Sequence, residues 1–259
     1  MKVAILAGGL GTRLLEETES RPKALVEIGG RPILWHIMKY YAQYDLTDFV
    51  IALGYRGNDI RGYFEALPGA RPFVNGYVNG NGALKGVSVL DGDRLWNVEL
   101  VETGSDTQTG GRIKRLAPYL GDDTFMLTWC DGLTDTPLDH LLSYHRSHGR
   151  LATLTAIHPP PRFGRLKLES GQVLDFAEKP REANDWINGA FFVLEPGVFD
   201  YIEGDATEWD RFSLPRLARD HELMAYRHES FWQCMDTLKD KRALDSLWES
   251  AAAPWKIWE

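Results

Sequence analysis

The 259-residue sequence has only two cysteines, Cys130 and Cys234, set far apart. Such a pair builds neither a disulfide framework nor a zinc cluster with paired ligands, and two buried thiols are the plain expectation. No apolar run approaches the roughly 18 residues of a membrane span. The opening Val3-Ala4-Ile5-Leu6 is too short for the core of a signal peptide, and a cytoplasmic location is expected. Positive charge is not in excess either. Against 37 Asp and Glu stand 29 Lys and Arg, a net charge of −8 that discourages a broad hold on nucleic acid or anionic membrane. Phosphate chemistry in such a chain has to be local. Repeats, low-complexity tracts and linkers are lacking too, so a single domain over residues 1–259 is expected.

What is present has the composition of an ordinary globular protein: 44% hydrophobic and 25% charged residues. Short β-rich runs alternate with helical patterns from the start, as in βαβ units. Residues 3–7 are continuously apolar, as a central strand should be. Pro32 precedes Ile33, Leu34, Ile37, Met38 and Tyr41, a helical stripe with proline at its start. Further strands are expected at 49–53, 98–101, 125–129, 151–157, 187–194 and 222–228, and helices near 59–66, 138–148, 214–219 and 238–249, with another carrying Ile113, Leu116 and Leu120. Residues 164–176 look like an antiparallel pair turning at Ser170-Gly171. The stretch 67–97 is glycine-rich and weakly periodic, and is expected to be an excursion of loops and weak hairpins. The fold class is therefore α/β: a Rossmann-like mixed, mostly parallel sheet with helices on both faces.

The first strand ends in Ala7-Gly8-Gly9-Leu10-Gly11-Thr12-Arg13, three glycines in four positions at the carboxyl edge of a parallel strand. Sheets of this class bind ligands there. Glycine lets successive N–H groups turn onto an anion, and Arg13 adds a planar fork for phosphate oxygens. Neither the dinucleotide fingerprint nor the Walker pattern fits, because the one needs glycine where Leu14 stands and the other needs Gly-Lys-Ser/Thr. Arg21-Pro22-Lys23 supplies two more cations, Pro22 pinning the backbone beside Lys23.

Gly-x-Gly-Thr-Arg followed by Pro-Lys at this distance resembles the signature of the sugar-1-phosphate nucleotidyltransferases. Residues 23–36, 103–115, 186–194, 231–241 and 247–259 resemble segments of their glucose-1-phosphate cytidylyltransferase branch. The resemblance implies CTP and α-D-glucose 1-phosphate as substrates, CDP-glucose and pyrophosphate as products, and Mg²⁺ as cofactor. It implies that Gly8, Gly9, Gly11, Thr12 and Arg13 hold the nucleotide, and that Lys23 neutralises charge around the α-phosphorus. Asp131 and Asp236 take the places of the metal carboxylates. Thr103, Gly104, Thr109, Gly110 and Arg112 fall in its base-binding loop. Lys179 grips the sugar phosphate, with Glu178, Asn188 and Gly189 beside it in a sugar-binding part at about 158–237. A homo-oligomer, a hexamer, is implied as well, with a role in surface-polysaccharide synthesis and no nucleic acid or membrane partner.

The chemistry is consistent with these assignments. A sugar phosphate is already ionised at neutral pH, so in-line attack on phosphorus needs no strong general base. His36, His145, His148 and His158 are expected to be structural or on the surface. The chain departs from the family at Cys130, where glycine is expected, and at Cys234, where proline is expected. If Asp131 and Asp236 share one ion, the two thiols must lie close together, a possible redox-sensitive pair. Residues 68–97 are also shorter than the family's middle region. Two alternatives stay open: a cytidylyltransferase for another sugar or a non-sugar phosphate, or a non-catalytic nucleotide-sugar sensor.

Overall fold

The computed structural model describes residues 1–9, 11, 14–77, 83–159, 165–169, 172–177 and 186–259. The first half runs β1 (Lys2–Leu6), α1 (Leu15–Thr18), β2 (Glu27–Ile28), β3 (Arg31–Pro32), α2 (Ile33–Ala42), β4 (Asp48–Leu53), α3 (Gly57–Glu65), β5 (Arg71–Tyr77), β6 (Ala83–Asp91), β7 (Arg94–Glu102) and α4 (Thr109–Leu120). The second half runs β8 (Phe125–Trp129), β9 (Gly132–Thr134), α5 (Leu138–His148), β10 (Ala152–Ile157), β11 (Arg165–Glu169), β12 (Gln172–Ala177), β13 (Ile187–Leu194), α6 (Leu214–Arg219), β14 (Leu223–His228), β15 (Trp232–Cys234) and α7 (Leu238–Glu249).

Nine strands form one sheet in the order β14-β10-β13-β8-β1-β4-β7-β6-β5. β8, β1, β4 and β7 are successive parallel neighbours. Only β13 and β6 run against the rest. Alternation along the central strands explains the layering. Val3, Ile5, Phe49 and Ile51 pack with α2, α3, α5 and Trp255, whereas Ala4, Leu6, Val50 and Ala52 pack with α4, α6 and Trp209. A strand covered on both faces must be apolar throughout, which is why 3–7 carries no alternation. Each fully buried Val, Ile or Leu there contributes roughly 1.5–3 kcal/mol.

The stretch expected to be loops and weak hairpins is different. It carries β5 and β6 and enters β7, and β6 pairs antiparallel with β7 from Gly86 opposite Glu99 to Asp91 opposite Arg94. Glycine hid these strands from a sequence reading: Gly86 sits where a Cβ would stand 2.3 Å from the ring of Phe73, so packing across β5 requires it. The β11–β12 pair forms as expected, apart from the main sheet, while its turn at Ser170-Gly171 lies outside the described residues. Two short pairs were not foreseen, β2 with β3 and β9 with β15. No helix among the described residues is long and apolar enough to cross a membrane.

Candidate active site

The carboxyl ends of β1, β7 and β8 open on a cleft of about 550 Å³, whose lining includes Gly8, Gly9, Gly11, Lys23, Thr109, Arg112, Trp129 and Asp131. Gly11 holds φ at +66°, which the turn after β1 requires and glycine adopts without strain. Lys23 opens a single 3₁₀ turn, Lys23–Leu25, behind an extended Pro22 whose carbonyl accepts from Leu25 N–H at 2.8 Å. The proline thus fixes where the lysine side chain starts.

From there the Lys23 ammonium reaches two carboxylates that are distant in sequence. Nζ donates to Asp131 Oδ2 at 2.7 Å and to Asp236 Oδ1 at 2.8 Å. Burial opposes the charge on Lys23, but Asp131 and Asp236 outweigh it and hold the ammonium protonated well above its ordinary range. The third Nζ donor has no acceptor among the described residues, so it can take a phosphate oxygen while the other two bonds persist.

The β9–β15 pair makes this convergence possible. Cys234 stands opposite Gly132, and Met235 N–H donates to the Asp131 carbonyl at 2.8 Å, so the chain around Asp236 is bonded to the chain around Asp131. Asp236 is also tied to the start of α7. Thr237 caps that helix, its Oγ1 accepting from Asp240 N–H at 3.2 Å, while Asp240 Oδ2 accepts from Thr237 N–H at 2.9 Å and from Asp236 N–H at 3.2 Å.

The same pairing brings Cys234 near Cys130, as expected if the two aspartates converge. The two are not joined in a disulfide, and only Cys130 is buried: Cys234 is half-buried, against the expectation of two buried thiols, because the short β15 strand holds it at the margin of the core. Burial, with Asp131 adding to it, pushes the Cys130 thiol up to about 12, so it stays protonated and unreactive at neutral pH. Cys234 Sγ lies 3.6 Å from Asp236 Oδ2.

Two carboxylates meeting at one cation offer the hard oxygen donors that suit Mg²⁺, which keeps several waters and takes phosphate oxygens for its other positions. No group of three or more metal-ligating side chains occurs among the described residues, as this division of ligands allows.

The remaining sequence-derived residues divide into three sets. Thr12, Arg13, Glu178 and Lys179 lie outside the described residues. Thr103, Gly104, Thr109 and Gly110 are occupied by the scaffold. Thr103 Oγ1 donates to the Leu53 carbonyl at 2.5 Å, Thr109 Oγ1 accepts from Trp209 N–H at 2.9 Å, and a Cβ on Gly110 would stand 2.7 Å from the Thr207 carbonyl. The cap of α4 is Gln108, and Thr109 is its first helical residue.

At the start of β13, Asn188 Nδ2 donates to Asp210 Oδ1 at 3.1 Å, and its Oδ1 accepts from Ala190 N–H at 2.9 Å. The Gly189 carbonyl accepts from Trp232 Nε1 at 2.7 Å. Asp210 and Trp232 were not singled out from the sequence. Asp210 sits on a π-helical turn, Trp209–Ser213, which leaves no periodic signal, and Trp232 is placed by the three-residue pairing of β15.

His36, His145 and His148 are structural. His36 donates from Nε2 to the Ile28 carbonyl at 2.9 Å and accepts at Nδ1 from Trp255 Nε1 at 3.3 Å. His145 and His148 both bond Thr153 Oγ1, near the amino end of β10 and so at the opposite sheet edge. No histidine lines the cleft among the described residues.

Known proteins are similar to this chain in sequence and in fold. The nucleotidyl transferase family matches residues 2–249. The glucose-1-phosphate cytidylyltransferase of Salmonella typhi is 50% identical over 263 residues, covering all of both chains. The mannose-1-phosphate guanyltransferase of Saccharomyces cerevisiae is 30% identical over 93% of this chain and 62% of its own. Among solved structures, UDP-glucose pyrophosphorylase complexed with UDP-glucose superposes with a TM-score of 0.68 at 15% identity, covering 96% of this chain and 98% of that one. That last likeness speaks for the fold alone. With a family match over nearly its whole length and half its residues shared end to end with one member, the chain belongs to the nucleotidyl transferases, on their glucose-1-phosphate cytidylyltransferase branch.

Proposed function

We propose that the chain transfers a cytidylyl group from CTP to α-D-glucose 1-phosphate, giving CDP-glucose and pyrophosphate. A phosphate oxygen of the sugar attacks the α-phosphorus of CTP, a new P–O bond forms, and the bond to the β-phosphate oxygen breaks on the opposite side. The attacking phosphate is already ionised, so no residue has to remove a proton.

The observation that carries this reading is the Lys23 ammonium bracketed by Asp131 and Asp236 beside a glycine-rich turn. Three phosphate-bearing groups must be crowded together, and fixed charge offsets their repulsion. Lys23 keeps its proton against burial and has a donor to spare for an oxygen on the α-phosphorus. Nucleotidyltransferases of this family generally depend on a divalent metal. Asp131 and Asp236 are assigned to hold Mg²⁺, which when bound neutralises charge shared between phosphate oxygens. Asn188 and Gly189 belong to the acceptor side, kept in register with Asp236 by the Trp232–Gly189 bond. Thr12, Arg13, Glu178 and Lys179 complete the assignment by their place in the sequence.

Incubation with CTP, glucose 1-phosphate and Mg²⁺ should release pyrophosphate and CDP-glucose in equal amounts. Turnover with another phosphate acceptor but not with glucose 1-phosphate would overturn the acceptor. Tight CTP binding with no turnover on any acceptor would overturn the enzyme assignment.

A further inference from the structure

Arg112 is a buried cation with no hydrogen-bonded carboxylate among the described residues, Glu102 acting on it only through space. Its guanidinium instead gathers neutral oxygens from three loops at the carboxyl edge of the sheet. Nη1 donates to the Leu53 carbonyl at 3.1 Å, to Thr103 Oγ1 at 2.7 Å and to the Gly104 carbonyl at 2.7 Å, and Nη2 donates to the carbonyls of Gly8 at 3.1 Å and Ser105 at 3.2 Å. The chain makes room for this fork. A Cβ on either Gly8 or Gly54 would stand 2.4 Å from Nη1.

A trans peptide sets its N–H opposite its C=O. Peptides whose carbonyls are drawn onto Arg112 at Gly104 and Ser105, and at Gly8 by Arg112 together with Tyr55 N–H at 3.2 Å, therefore turn the N–H groups of Gly9, Ser105 and Asp106 the other way. All three of those residues line the cleft, and none of the three N–H groups has an acceptor among the described residues.

We infer that Arg112 is a positioning residue that aims these three N–H groups into the cleft, Gly9 toward phosphate oxygens, and Ser105 and Asp106 toward the acceptor edge of cytosine. The inference rests on the nucleotide reading above and goes beyond it by naming what orients the donors. Cytosine presents an unprotonated ring nitrogen where uracil presents an N–H. A fixed N–H donor therefore accepts the first base and leaves the second with two opposed donors, a mispairing that costs roughly 1–3 kcal/mol, or about ten- to a hundredfold.

Arg112→Lys keeps the charge but not the fork. Gly54→Ala crowds the guanidinium from a position outside the cleft lining. Both variants should lower the preference for CTP over UTP in kcat/KM by about tenfold or more. An unchanged preference, with only thermal stability reduced, would overturn the inference. Hydrogen exchange resolved to single amides in the unaltered chain gives a test independent of folding defects and of the acceptor sugar. CTP should slow exchange at Gly9, Ser105 and Asp106, and pyrophosphate at Gly9 alone. Exchange at Ser105 and Asp106 untouched by CTP would overturn the inference, even if CDP-glucose synthesis is demonstrated.

Discussion

At the scale of single residues, charge and burial decide what each group does. Lys23 is held between two carboxylates, so Lys23→Gln removes the one ammonium that bonds both Asp131 and Asp236. Transition-state charge then goes uncompensated, and kcat/KM should fall about 10²–10³-fold, measured by pyrophosphate release. Cys130 gives the opposite case: its buried thiol should resist alkylation at neutral pH in the native protein and react once the chain is unfolded in urea. Rapid native labelling of Cys130 would show a thiolate that the geometry does not provide.

His36 supplies a pH-dependent term. Its ring is enclosed by Trp35, Trp248 and Trp255 at centroid distances of 5.1, 4.6 and 6.1 Å, and burial lowers its pKa to about 4. The unfolded chain titrates near 6.5, so the stability His36 contributes is complete above that value and is lost as pH falls toward 4. Urea unfolding should lose about 2 kcal/mol between roughly pH 7.5 and pH 5 from this group, and His36→Asn should flatten that slope. An equal slope in the variant would assign the effect elsewhere.

At the scale of elements, the strongly periodic or wholly apolar segments were legible. β8, β13, α5, α6 and α7 have the bounds that their sequence suggests. The elements that assemble the site were less so. β9 and β15 are three residues each, too short for a periodicity to register, yet they carry the chain around Asp236 to Asp131. The π-helical turn at Trp209–Ser213 is equally silent, although it bonds Thr109 on one side and Asn188 on the other.

Two predictions belong here. Trp232→Phe keeps an aromatic ring but loses the Nε1 bond to Gly189, so the KM for glucose 1-phosphate should rise while that for CTP stays near its original value. A rise confined to CTP would contradict this. Ala190, on β13, holds φ at +61°, a conformation that costs an L-residue roughly 1–2 kcal/mol. Ala190→Gly should therefore stabilise the chain by about 0.5–1 kcal/mol in urea unfolding, after the entropy that glycine adds to the unfolded state. A destabilised variant would place the strain elsewhere.

At the scale of the whole molecule, one sheet edge collects the ends of β1, β4, β7 and β8 with the start of β13, and so brings residues from both halves of the sequence to one cleft. The apolar first strand and its glycine-rich end made the fold class, and the sheet edge on which the cleft opens, readable from residues alone. Pairing Asp131 with Asp236 was readable only through family resemblance, because nothing local in either segment names the other as a partner. Arg112 shows the converse. Sequence placed it in the nucleotide loop, but its five bonds to neutral oxygens from three loops exist only after the sheet has closed.

The central claim is that Lys23, Asp131 and Asp236 act as one unit. A double-substitution cycle of Asp131→Asn and Asp236→Asn, read as Mg²⁺-dependent pyrophosphate release from CTP and glucose 1-phosphate, tests it most directly. Groups that share one function are strongly non-additive, so the double variant should be about as impaired as the worse single variant. Losses that multiply, with each single variant folded to the same thermal midpoint as the unaltered chain, would mean that the two carboxylates work independently and would contradict the account.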